Sequence, residues 1–181
     1  ASTTSSENHR TFFNVKPNSY VQLANRNFEL GTDSKLTVEN GGTLDFGFDG
    51  VNGAGLNALN ITGNSGGQTF TATTGSILKI TSPDGLTTAA ASTTAGNVQV
   101  PVGSRTFDPG ATYHYIGKAS QATGNALPDG LTNRVIVDLQ TDATNENLNF
   151  TTNGLIKFNS SGILEIRRGK VFDIPFNGFR N

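Results

Sequence analysis

A parallel β-solenoid with three sides per coil is the fold this sequence predicts, and three observations predict it. Apolar residues recur at a step of eight, each with a second apolar residue two places on. The composition is that of strands and turns, and the segments between apolar pairs carry turn chemistry at matched places. The clearest run covers residues 148–178, where Leu148, Ile156, Leu164 and Phe172 are each followed by Phe150, Phe158, Ile166 and Ile174. A step of two returns a side chain to one face of a strand. A step of eight then fits one short strand plus a turn: about four extended residues spanning roughly 13 Å, with the remainder changing the direction of the chain. Parallel crossovers favour a right-handed coil.

An antiparallel meander or sandwich is the alternative, because hairpins can also join short strands. Hairpins favour two-residue loops such as Asn-Gly, whereas TTNG, NSSG and RRGK bend the chain at matched places without a consistent two-residue loop. Matched corners are what stacking requires, since each corner must accept the one above it. Three eight-residue sides would place Phe172 over Leu148 and Ile174 over Phe150.

Taken along the chain, residues 1–10 are polar and read as a loose lead-in, and residues 11–181 as a single solenoid body. The octads begin at Phe28, Leu36 and Leu44, with Leu30, Val38 and Phe46 two places later. The core ladder is therefore predicted to hold Leu36, Val38, Leu44 and Phe46 at one end and the 148–174 series at the other. Phe70 and Leu78, with Ala72 and Ile80, follow a glycine-rich excursion. Residues 87–96, TTAAASTTAG, read as an irregular loop. NVQVPVGSRTF, ATYHYIG and LTNRVIVDL are further strands, and PDG at 83–85 and 128–130 marks turns. Helical periodicity is absent, so little or no α-helix is expected. The ladder still runs in register at Phe172 and Ile174 and the chain holds no Met, which together suggest a segment of a longer chain.

Composition narrows the function classes. The chain has 181 residues, 15% charged, with a formal net charge of -1. Phosphate binding needs clustered Lys and Arg, and the one basic cluster is Arg167, Arg168 and Lys170, so no nucleic-acid partner is expected. The absence of Cys excludes a disulfide framework or thiolate metal site. No apolar run approaches the ~18 residues of a membrane span. The 24 Thr, 20 Asn and 22 Gly favour strands and tight turns.

Residues 78–139 carry a more specific pattern. Phe107, Gly110, Ala111, Tyr113, Tyr115 and Gly117 are followed by Gln121, Thr123, Gly124, Leu127 and Pro128, with SPDG (82–85) and GNVQV (96–100) upstream. This order resembles the β-helical repeat regions of very large surface and secreted proteins of Bacteroidetes, with Ile116 where that pattern has Asn. The resemblance implies an adhesin-like protein, extracellular or at the cell surface, of a kind often exported by the type IX route. Its implied partners are other parts of the same long chain or neighbouring subunits, and glycans or a host or environmental surface.

Catalytic signals are weak. GAGLNA (53–58) matches a dinucleotide fingerprint formally, but no helix start follows it. Asp45 with Asp49, and Asp138 with Asp142 and Glu146, are the carboxylate candidates for polysaccharide cleavage, which needs two carboxyls about 5–10 Å apart across a cleft. His9 and His114 lie too far apart in sequence to suggest a metal site. GGTLD (41–45) resembles the start of a calcium-roll repeat but lacks its third Gly. No cofactor is therefore expected, with calcium the one weak candidate. TFTATT (69–74) is the best threonine array for ice binding, and charged residues interrupt it. Tyr113 and Tyr115 share one strand face and are the seed of a ligand surface for a glycan. A structural, adhesive, non-catalytic segment is the reading these observations favour; a carbohydrate-binding module and a polysaccharide-active β-helix enzyme are the rivals.

Overall fold

The computed structural model describes residues 10–63, 66–88, 95–100, 104–140, 148–168, 171–173 and 179–180. The octads are consecutive sides of a coil: Phe28 lies in β3 (Phe28–Leu30), Leu36 in β4 (Lys35–Val38) and Leu44 in β5 (Thr43–Asp45). Side one stacks β1 (Phe12–Val15), β4, β7 (Thr69–Ala72) and β10 (Arg105–Phe107). Side two is a six-stranded sheet of β2 (Tyr20–Gln22), β5, β8 (Ile77–Ile80), β11 (Thr112–Tyr115), β13 (Arg134–Asp138) and β16 (Ile163–Arg168). The third side holds β3, β6 (Ile61–Gly63) and β9 (Val98–Gln99), then β12 (Gln121–Ala122), β14 (Asn149–Thr151) and β17 (Val171–Asp173). A bridge from Leu131 to Phe158 carries side one beyond β10, followed by the pair β15 (Ile156–Lys157) and β18 (Phe179–Arg180).

Every strand pairing among the described residues is parallel. The fold is thus a parallel β-solenoid and not a meander or sandwich. The lone antiparallel contact is a bridge between Phe48 and Ala58, and one 3-10 turn at Val51–Gly53 is the only helical element described.

Register explains the core. On side two Leu44 pairs with Leu78, Leu78 with Tyr113, Tyr113 with Val135 and Val135 with Leu164. Leu36, Val38, Leu44, Phe46, Leu148, Phe150 and Ile156 are buried, while Phe158 and Leu164 are partly buried against the same cluster. Two ladder expectations need correction. Ile166 sits in register on Val137 but is 49% exposed, because β16 pairs with β13 alone among the described residues. Phe172 pairs with Phe150 and not with Leu148, so this rung spans 22 residues where three strict octads would span 24. Ile174 lies outside the described residues.

The coil is less regular than three sides of eight. Successive rungs are separated by 22 residues from Tyr113 to Val135 but by 37 from Ile61 to Val98. The extra length leaves the stack as excursions, one after β5 and one after β8, and the chain then resumes the same columns.

The corner between sides one and two shows why resumption is possible. Ser19 N donates to Lys16 O, Gly42 N to Glu39 O, Ser76 N to Thr73 O and Ala111 N to Asp108 O, each at 2.8–3.0 Å. These are four-residue turns with Pro17 or Pro109 at the second place in two of them. Asn18, Gly41 and Gly75, at the third place, have φ of 61°, 76° and 75°, the left-handed backbone that a type II turn requires there. The corners also bond to one another: Asn18 N donates to Gly41 O, Gly41 N to Gly75 O and Gly75 N to Gly110 O, at 2.9–3.0 Å.

On the third side the chain skips a rung and returns to fill it. Segment 82–87 leaves β8 and bonds upward to the β12 region: Ala122 N donates to Pro83 O, Leu86 N to Thr123 O and Ala126 N to Leu86 O. The later strand β9 pairs below with β6, and Asn97 N donates to Gly85 O. The expected loop at 87–96 is this return path, of which 89–94 lie outside the described residues. Asn97, fully buried, locks the crossing: its Oδ1 accepts from Thr81 N and Ser82 N at 2.9 Å, and its Nδ2 donates to Leu59 O at 2.9 Å and Thr81 Oγ1 at 3.0 Å.

Leu78→Ala should destabilise the fold by about 2–5 kcal/mol, the usual range for a fully buried leucine. Thr71→Ala, on the outer face of side one, should change it by under about 0.5 kcal/mol in denaturant titrations. Asn97→Ala strands two backbone N–H groups and should cost about 2–3 kcal/mol, and Asn97→Asp, which keeps the acceptor but sets a buried carboxylate oxygen against the Leu59 carbonyl, should cost at least as much. A clearly smaller loss in Asn97→Asp than in Asn97→Ala would show that the donor side does not hold the crossing.

Candidate functional site

Tyr113 and Tyr115 do not form a ligand surface. Both are 0% exposed and point into the core on β11, above Leu78 and Ile80. Each hydroxyl donates to a backbone carbonyl, Tyr113 to Asp108 O at 2.7 Å and Tyr115 to Thr123 O at 2.9 Å. Tyr115 also packs edge-on against Phe150 at 4.9 Å between centroids. Burial pushes both phenols well above their ordinary range. The correction has a simple cause: tyrosines at i and i+2 share a face, but the sequence alone leaves open which face. Ala111, one strand step earlier and fully buried, is the signal that points inward.

His114 faces outward between them, in a column that runs Gln22, Asp45, Lys79, His114, Ile136, Glu165 along side two. Nearly every polar group here is tied to another rung. Asp45, 2% exposed, accepts from Tyr20 Oη at 2.5 Å, Gln22 Nε2 at 3.3 Å and Gly47 N at 2.9 Å. Lys79 Nζ lies 3.8 Å from Asp45 Oδ2 and 4.9 Å from the Tyr20 ring centroid. Burial first, then Asp45, raises the Tyr20 phenol above its ordinary range. At the far end Arg134 and Arg167 both reach Glu165, at 3.2 and 2.7 Å, and Arg168 binds Asp138.

His114 Nε2 is buried without a hydrogen bond, 3.6 Å from Asp138 Oδ2. Desolvation holds the imidazole below its ordinary value of 6.5; Asp138 opposes this, and Arg167 and Lys79 add to it. The hydrogen bond from Arg168 holds Asp138 below its ordinary value of 3.8.

The other candidates fall apart in space or into structural roles. Asp49 turns the first excursion, its Oδ1 accepting from Asn57 N at 3.1 Å and its Oδ2 from Asn57 Nδ2 at 2.7 Å. GAGLNA (53–58) belongs to that excursion, and the chain passes from it into the Phe48–Ala58 bridge and β6. Gly41 and Gly42 of GGTLD form a corner, and Asp45 is engaged as above. Asp142, Glu146, His9 and Lys170 lie outside the described residues. Among those described, no group of three or more His, Asp or Glu side chains is placed to hold a metal ion. Thr37, Thr71 and Thr106 do form an outward column on side one, and Lys35 stands beside it in register with Thr69.

One open cavity, of about 410 Å³, lies on the third side between the first excursion and segment 82–84. The excursion is stapled from outside the octads by Lys118, whose Nζ donates to Gly53 O at 2.7 Å and Gly55 O at 3.1 Å and lies 4.4 Å from the Phe48 ring centroid. Nothing in the sequence marked this cavity, because its walls come from two excursions of unrelated length. No family model, curated protein or solved structure matches this chain.

The titration of His114 gives a pH dependence. A base whose folded pKa is lowered binds more proton when unfolded, so stability is full above 6.5 and is lost as the pH falls from there towards the folded value. The Asp138 contribution is present above 3.8 and is lost only as the pH falls through its lower folded value. Thermal midpoints should therefore fall between about pH 7.5 and 5, and His114→Gln should flatten that slope. An unchanged slope in the variant would assign the dependence to another group.

Proposed function

We propose that this chain is a structural, adhesive segment of an extracellular bacterial surface protein, a rigid non-catalytic spacer that presents binding surfaces at fixed separations. The observation that carries this reading is the unbroken inward ladder, Leu44, Leu78, Tyr113, Val135, Leu164, in which each rung covers the next. A quasi-linear stack of this kind resists bending and can be extended by adding coils. Of the carboxylates considered for catalysis, the described ones, Asp45, Asp49 and Asp138, are engaged in holding turns and rungs. The words extracellular, bacterial and surface come from the resemblance to β-helical regions of Bacteroidetes proteins in residues 78–139. In this reading the partners are neighbouring coils of a longer chain or neighbouring subunits, and a glycan or environmental surface. A carbohydrate-binding role is the second reading, favoured by the open cavity on the third side.

Pulled from its two ends in optical tweezers, the chain should stay closed at low force and then lengthen in discrete steps. Each step should release one coil, 22 to 37 residues. Smooth extension from the lowest forces would overturn the spacer role.

A further inference from the structure

We propose that the third-side cavity binds one sugar unit of a neutral glycan. The inference stands independently of the spacer role, since it rests on the chemistry of the cavity wall alone. At about 410 Å³ the space falls within the roughly 300–1,000 Å³ typical of small-ligand sites.

The wall offers hydrogen-bonding capacity that the protein leaves unused. The Asp84 carboxylate makes no hydrogen bond or ion pair among the described residues, although Asp84 N donates to Ser82 Oγ at 3.3 Å. The Ser82 hydroxyl receives that bond and donates to nothing described. Asn57 commits its N and Nδ2 to Asp49 and leaves Oδ1 open. Gln99 commits Nε2 to Gly96 O at 3.0 Å and leaves Oε1 open. Asn57, Ser82, Asp84 and Gln99 all line this space, and three open acceptor groups with one donor are a set that suits a ligand rich in hydroxyls, each both donor and acceptor.

Charge and shape select within that class. No Lys or Arg lines the cavity, so phosphate or another anion would meet Asp84 without a counter-charge. Lys118, which staples the first excursion, is already held by Gly53, Gly55 and Phe48. Leu56, 69% exposed at the rim, supplies an aliphatic surface for the C–H face of a pyranose. Lys118 acts as a positioning residue, fixing the excursion that carries Leu56 and Asn57.

The test is a titration of the folded chain, followed by amide NMR, with maltotriose, cellotriose, mannotriose and galactotriose, and with spermidine as a cationic probe. At least one trisaccharide should produce saturable shifts at Asn57, Ser82, Asp84 and Gln99. Asp84→Ala should weaken that binding by about tenfold or more and leave the thermal midpoint unchanged, because the carboxylate makes no hydrogen bond or ion pair among the described residues. Lys118→Ala should weaken it severalfold while the amide spectrum of the rungs stays native. The proposal is overturned if no trisaccharide saturates at about 50 mM, well above a ~1 mM dissociation constant. Sugar shifts that map elsewhere, indifference to Asp84→Ala, or saturation of these amides by spermidine alone would also overturn it.

Discussion

Everything in this molecule depends on register between parallel rungs. Its described strands are two to six residues long, too short to bury an apolar face by themselves, so each inward side chain is buried by the one stacked on it in the next coil. Because side chains alternate with a period of two, a slip of one residue would turn every inward residue outward. The corners prevent that slip. Their amides bond from Asn18 to Gly41, from Gly41 to Gly75 and from Gly75 to Gly110, so the turn of each coil is fixed by the turn of its neighbour as well as by its own bonds.

The same register decides what the outer face can do. Lys16 meets Glu39 and Arg134 meets Glu165 across adjacent rungs. Exposed pairs of this kind contribute only about 0–1 kcal/mol each, far less than a buried leucine, so they do not hold the coil together. Their effect is on specificity, since a shifted register would set some like charges side by side. A buried group such as Asp45 is different, because removing its partners would leave a desolvated carboxylate. The cost of satisfying it explains why Tyr20, Gln22 and the Gly47 amide converge on one side chain.

Much of the architecture was legible in the residues. A step of eight with an echo at two fits a side with its inward pair, and Phe28, Leu36 and Leu44 do occupy three successive strands. The closure of the coil was not legible, because 22-residue and 37-residue rungs coexist and sequence distance no longer measures height in the stack. That is why Phe172 found Phe150 instead of Leu148, and why the orientation of Tyr113 and Tyr115 stayed open until their pairing with Leu78 and Ile80 was known. The skipped rung left even less trace. Asn97 looks like any loop asparagine until the segments on either side of it are placed, and only then do its four hydrogen bonds have partners.

The excursions are where sequence is free to carry chemistry. A residue in a column answers to the rungs above and below it, so its identity is fixed by packing or by a cross-rung pair. An excursion answers to the stack only at its two ends, and its own fold needs few groups: here Asp49, Asn57 and the Lys118 staple. Asp45, Asp49 and Asp138 all use their carboxylates to hold backbone or neighbouring side chains. Asp84, on the second excursion, does not do so among the described residues, and it lines, with Asn57 and Gln99, a space large enough for a sugar. A charged side chain that makes no hydrogen bond or ion pair among the described residues, placed beside uncommitted polar groups, distinguishes a binding wall from a structural one.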